Sequence, residues 1–301
     1  MIINFGSLNM DYVYRVPRFV KPGETLKSDG LSVNCGGKGL NQSVAMAKSG
    51  GTVEHVGLVG EADGDVLVEA LAEAGVRTGM VRKSGARSGH AVIQVDDSGQ
   101  NCIIVYPGAN RRFTAEMVEE AISARGEGDA VAITNEVNCV GAVMRKAYER
   151  GLKIAFNPSP FDIEILNLPL ETVSYLFVNE TEACGITGGK YPWKETLLRL
   201  SAKFPKCLHV LTLGDMGAAA CQDGKIFKKE AHVIDAVDTT AAGDAFLGYF
   251  LSYADRGRDL DDCLDMANMA AAMCVSRPGA AISIPGEAEV LSNAANAALR
   301  R

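Results

Sequence analysis

Short apolar runs alternate along almost the whole chain with segments whose apolar residues recur every three or four positions. Ile2–Phe5, Val53–Val59, Ala130–Thr134, Lys153–Phe156, Val173–Val178 and His209–Leu213 read as buried strands. Between them, Leu40, Val44 and Ala47, then Leu67, Ala70, Leu71 and Ala74, then Val140, Val143, Met144 and Ala147, mark the inward faces of helices. This rhythm predicts an α/β fold on one mostly parallel sheet. Two stretches break it. Residues 12–33 scatter Pro17 and Pro22-Gly23 among short β-prone pieces, while His90–Asp96 and Asn101–Tyr106 flank Asp97-Ser98-Gly99-Gln100 as a hairpin. Together they predict a separate small sheet. Asp223-Gly224 predicts a second hairpin leading into Lys225-Ile226-Phe227. Val233 to Ala254 predicts a strand, a tight loop at Asp238–Asp244 and a buried helix carrying Phe246, Leu247, Phe250 and Leu251. An alanine-rich helix is expected over Met266–Val275.

Two helix starts carry candidate chemistry. The first-turn N–H groups of a helix lack internal partners and sit at the positive end of its dipole, so Ala241, Ala242 and Gly243 offer an anion a close backbone approach. Asp244 is unexpected there, since a carboxylate repels phosphate unless it has a task such as taking the proton from an attacking hydroxyl; the alternative is a helix cap. Gly36-Gly37-Lys38-Gly39 likewise precedes a helix, but neither GxxxxGK(S/T) nor GxGxxG fits it. Asn9 and Asp11, one residue apart after the first strand, would point to the same side at that strand's carboxyl end, where parallel sheets bind ligands; an Asx-type turn is the other reading.

Asp238-Thr239-Thr240-Ala241-Ala242-Gly243-Asp244-Ala245-Phe246-Leu247-Gly248 resembles the carboxyl-terminal signature of the ribokinase-like (PfkB) carbohydrate kinases, and Gly36-Gly37-Lys38-Gly39-Leu40-Asn41-Gln42 resembles their amino-terminal one. Weaker matches follow in the family's order: Gly6–Asp11, Gly108-Ala109-Asn110, Asn179-Glu180-Thr181-Glu182 and Thr212-Leu213-Gly214-Asp215-Met216-Gly217. The resemblance runs from Gly6 to Ser283 and implies a three-layer α/β/α fold. Residues 1–11, 34–87 and 111–301 would form the main domain, with 12–33 and 88–110 as a β lid that closes over the sugar and pairs two chains into a homodimer.

The implied activity is ATP-dependent phosphorylation of a sugar primary hydroxyl, D-ribose first; deoxyribose, fructose or a nucleoside are alternatives, as is a non-catalytic sugar- or nucleotide-binding protein on the same scaffold. By the resemblance Asp244 is the base, with the amides of Ala241, Ala242 and Gly243 around the transferred group. Asn9, Asp11, Gly37, Lys38, Asn41 and Glu136 would hold the sugar. Asn179, Thr212, Gly214, Gly217, Gly243 and Asn268 would hold ATP, and Glu182 would anchor Mg²⁺ through water. Asp238, Thr240, Gly279 and Ser283 would bind an activating K⁺, with Pro278 standing where the family pattern has lysine. His90 stands where that pattern has a small apolar residue on the sugar-facing lid strand; it is either simply exposed or, like Met10, able to reshape the sugar pocket.

Composition narrows the partners. With 30 lysines and arginines against 37 aspartates and glutamates, the net charge is −7, which argues against a general nucleic-acid or anionic-membrane surface. Eight dispersed cysteines without a CxxC pair predict neither zinc nor a disulfide framework and suit a reducing cytoplasm. No apolar run reaches membrane-spanning length, and the four histidines are too scattered for a metal cluster or triad.

Overall fold

In the computed structural model, which describes residues 1–298, thirteen strands and nine helices build two sheets. The strands are β1 (Ile2–Phe5), β2 (Asn9–Arg15), β3 (Gly30–Gly36), β4 (Val53–Gly60), β5 (Arg77–Ser84), β6 (Gly89–Val95), β7 (Asn101–Tyr106), β8 (Ala130–Thr134), β9 (Lys153–Asn157), β10 (Tyr175–Asn179), β11 (Leu208–Thr212), β12 (Ala218–Gln222) and β13 (Lys225–Lys229). The helices are α1 (Lys38–Lys48), α2 (Asp65–Glu73), α3 (Ala115–Ser123), α4 (Val140–Glu149), α5 (Glu180–Thr187), α6 (Trp193–Lys203), α7 (Ala242–Asp255), α8 (Leu260–Val275) and α9 (Glu287–Ala298). The last three residues of the expected main domain lie outside the described residues.

The large sheet has the order β13-β12-β11-β10-β9-β8-β1-β4-β5, parallel except for the β11-β12-β13 meander. Its central strands are continuous apolar runs because both faces are covered. Successive residues go to opposite cores: Ala130 and Ala132 of β8 pack with α1, α2, α7 and α8, while Val131 and Ile133 pack with α3, α4, α5 and α6. The result is three layers, helix on sheet on helix. The edge strand β5 was not legible as a strand: Arg77, Arg82 and Lys83 break its apolar pattern, as charges on an exposed edge do.

The small sheet has the order β3-β2-β6-β7. It begins at Asn9 rather than residue 12, and β3 runs on to Gly36. Asn9 and Asp11 therefore lie at the start of a small-sheet strand, not at the carboxyl end of β1. The strand expected at Val233–Val237 does not form. Val237 and Asp238 donate their N–H groups to the Val275 carbonyl at the end of α8, and with no ladder to join, Val233 is wholly exposed.

Candidate active site

A cavity of about 540 Å³ lies between the carboxyl ends of the large sheet's strands and the inner face of the small sheet. One tight contact and two positive-φ residues place its floor. Gly37 caps α1 with φ +90°, a conformation that disfavours a side chain. Gly6 and Gly39 meet so closely that a Cβ on Gly39 would sit 2.3 Å from the Gly6 carbonyl carbon. This seats the start of α1 on the turn after β1, and the Leu40 amide bonds the Ser7 carbonyl at 3.0 Å. Ala241, in the left-handed conformation at φ 62°, swings the chain into α7.

Asp244 lies in the first turn of α7, only 6% exposed on the cavity wall. Its carboxylate is held from α1: Asn41 Nδ2 donates to Oδ2 and Gln42 Nε2 to Oδ1, both at 3.0 Å. It is therefore not merely a helix cap, since α7 starts with no side-chain capping bond. Ala241, Ala242 and Gly243 line the same end of the cavity.

Across the cavity, Asn9 and Asp11 of β2 and Glu136 after β8 face Lys38. Ser7 Oγ and the Lys38 amide donate to Glu136 Oε2, and Asn110 Nδ2 donates to Asn9 Oδ1 at 2.7 Å, leaving the Asn9 amide group to face outward as a donor. Burial, with the charges of Glu136 and Asp244, pushes Asp11 up to about 7. Glu136 is likewise raised by burial, against the pull of Lys38. Burial alone would lower Lys38, but Asp244, Glu136 and Glu182 outweigh it and raise its pKa. Ser7 and Asn110 were not singled out as site residues from sequence, although each stood in a recognised motif, Gly6–Asp11 and Gly108-Ala109-Asn110.

Asn179, Glu182 and Thr212 line the cavity's other end. Asn179 and Glu182 form a reciprocal capping box on α5, with the Glu182 amide bonding Asn179 Oδ1 at 2.9 Å and the Asn179 amide bonding Glu182 Oε2 at 3.0 Å. Gly214 and Gly217 stand off the cavity in the tight turn from β11 to β12. Asn268 of α8 is turned to the end of β13, where its Nδ2 bonds the carbonyls of Lys229 and Glu230. Asp238 ties two loops together, accepting from the Thr240 amide at 2.9 Å and the Gly279 amide at 3.0 Å. Ser283 Oγ bonds the Ala280 carbonyl and lies 3.0 Å from Cys274 Sγ.

The expectation for His90 is corrected. Ala91 and Ile93 of β6, with Ile103 and Val105 of β7, face the cavity, so strand alternation turns His90 to the other face, against Tyr12 and Tyr106. Met10, between Asn9 and Asp11, is turned away in the same manner and does not line the cavity. His55 is wholly buried, bonds Ser43 Oγ and is lowered by burial to about 4. Among the described residues no helix is long and apolar enough to cross a membrane, and no group of three or more His, Cys, Asp or Glu could hold a metal ion.

The model of the pfkB family of carbohydrate kinases matches residues 1–287. The chain is 32% identical over 296 residues to the ribokinase of Haemophilus influenzae, covering 95% of each. Among solved structures, a ribokinase from Thermotoga maritima superposes with a TM-score of 0.85 at 31% identity, covering 97% of this chain and 98% of that one. The ribokinase of Arabidopsis thaliana, solved with ribose and ATP, superposes with a TM-score of 0.84 at 28% identity over the same shares.

Proposed function

This chain belongs to the pfkB family of carbohydrate kinases, and from that premise we propose that it transfers the γ-phosphoryl group of ATP to the primary hydroxyl of D-ribose. The observation that carries the reading is Asp244, buried on the cavity wall and held by two amides, beside the first turn of α7. The acceptor hydroxyl gives its proton to Asp244 as its oxygen bonds the γ-phosphorus; the bond from that phosphorus to the bridging oxygen breaks, and ADP leaves. The first-turn amides of α7 stabilise the charge on the group in flight. Asn9, Asp11, Lys38, Asn41 and Glu136 hold the sugar, each matched to hydroxyls that both donate and accept. Asn41 suits this well, since its Oδ1 is buried without a partner among the described residues.

The chain's residues fit the ions of such a reaction. Glu182 lines the cavity and has no ion pair among the described residues, which suits a water-mediated Mg²⁺ site; bound there, Mg²⁺ supplies charge neutralisation at the phosphates. Asn179 and Thr212 flank it and Gly243 lines the same cavity, which supports them as nucleotide-binding groups; Gly214, Gly217 and Asn268, which do not line it, would meet the nucleotide only beyond the cavity wall. The half-buried carboxylate of Asp238, with the Thr240 and Gly279 carbonyls and the Ser283 hydroxyl, offers the hard oxygens that K⁺ requires. The small sheet acts as a lid that keeps water from ATP. Its outer face exposes Leu31, Val33, Ile104 and Tyr106, which supports a homodimer through the lid. All eight cysteines are free, which supports a cytoplasmic setting.

The test is ADP release from Mg-ATP with ribose, deoxyribose, fructose and nucleosides, each with and without K⁺. Ribose-dependent turnover raised by K⁺ is expected, and Asp244→Asn should lower kcat by about 10²–10⁴-fold with ATP affinity little changed. Turnover with another acceptor only would replace ribose, binding without turnover would favour a non-catalytic protein, and an active Asp244→Asn would remove Asp244 as the base.

A further inference from the structure

We propose that Gln42 is a positioning residue for the base. It holds the Asp244 carboxylate in the orientation that leaves a lone pair for the acceptor hydroxyl, and raises turnover without touching substrate. The inference rests on the reading of Asp244 as the base.

Gln42 is 1% exposed and is absent from the cavity wall, whereas its neighbour Asn41 lines it. Its Nε2 donates to Asp244 Oδ1 at 3.0 Å and to Asn157 Oδ1 at 3.4 Å. Asn157 is itself oriented, because its Nδ2 donates to the Phe177 carbonyl of β10 at 3.1 Å. A flipped Gln42 amide would put an oxygen against two acceptors, so the bonding network determines which way it points. The carboxylate is thereby tied to the central sheet through one oxygen and to Asn41 through the other. With a single donor it could turn about its Cβ–Cγ bond; the second removes that freedom, which is how a base is kept in a reactive geometry.

A second observation separates this from a packing role. Gln42 Oε1 is buried with no partner among the described residues, and a partnerless buried amide oxygen lowers stability. An apolar side chain of similar size would avoid that cost but would take the donor from Asp244 Oδ1 and Asn157 Oδ1. The amide therefore spends its donor on the base and leaves its own oxygen unpaired, which a residue chosen for packing alone has no reason to do.

The experiment compares the parent with Gln42→Leu, Gln42→Glu and Asp244→Asn by steady-state kinetics, thermal melting and ATP titration. Gln42→Leu should melt within a few degrees of the parent and bind ATP about as well, with kcat lower by about 10–100-fold and both KM values within about threefold. Gln42→Glu places a second carboxylate against Asp244, and two such groups share a proton at neutral pH. Its rate profile should therefore move toward alkaline pH by about one unit or more, a shift that loosened packing does not produce. Parental kcat in Gln42→Leu beside an inactive Asp244→Asn would overturn the positioning role and leave the base intact. A slow Gln42→Leu with an unshifted Gln42→Glu profile would also overturn it, whereas an active Asp244→Asn would fell the base reading first.

Discussion

Asp11 is a buried carboxyl whose proton is held to about pH 7, by burial first and then by Glu136 and Asp244. Its ordinary value is 3.8, so between that pH and about 7 the folded chain keeps a proton that the unfolded chain has released. Stability then falls as pH rises through this window and levels off above it. Glu136 acts in the same direction. Asp11→Asn should flatten that slope and gain about 1–3 kcal/mol at pH 8 in urea melts, while raising the KM for the sugar by about tenfold or more; a slope unchanged by the substitution would contradict this. Such environments were only partly legible in the sequence. Asn9, Asp11, Lys38, Asn41 and Asp244 were visible as motif positions, and the cavity does gather them. Gln42 and Asn110 also stood in motifs, but which groups they orient was not legible, because the contacts of Gln42 with Asp244 and of Asn110 with Asn9 join residues far apart in the chain. His90 was misplaced by a single step of strand alternation, the smallest error that reverses a side chain's face.

Among elements, the packing of α1 against α7 governs the site, because the carboxylate stands on one helix and its holders on the other. They cross at Gly248, where an added Cβ would lie 2.3 Å from Ala45 Cβ and 2.8 Å from the Met46 amide nitrogen. Gly248→Ala should therefore push the helices apart, destabilise the fold by about 1–3 kcal/mol and lower kcat further than its melting point alone would suggest. Denaturant melts and kinetics on the same sample check both; parental stability would show that the crossing yields without cost. Apolar periodicity was sufficient for the central strands and for α1, α2, α4 and α7, since each buries a regular face. It failed at β5, where charge marks a sheet edge, and at Val233–Val237, whose β-prone side chains found no neighbouring strand. Propensity records what a segment tolerates, and pairing depends on what lies beside it.

At the scale of the molecule, the outer face of the small sheet leaves Ile104 67% exposed and Leu31 54% exposed, with Val33 and Tyr106 alongside. Exposed apolar strands of this kind are costly unless covered. Ile104→Glu should convert a dimer to monomers in sedimentation and weaken sugar binding, since the opposite face of the same strand lines the cavity; a parent that sediments as a monomer would remove the premise. The α1–α7 pairing also bears on how the enzyme comes into being. Asn41 and Asp244 are separated by 203 positions, so most of the chain must be made before the two can meet. A ribosome that has released the first two hundred residues holds the proposed sugar-binding groups and Glu182, the proposed Mg²⁺ anchor, yet not Asp244, the proposed base. With Asp244 as the base, growing chains cannot spend ATP, and catalysis begins only when α7 packs on α1 and closes the site.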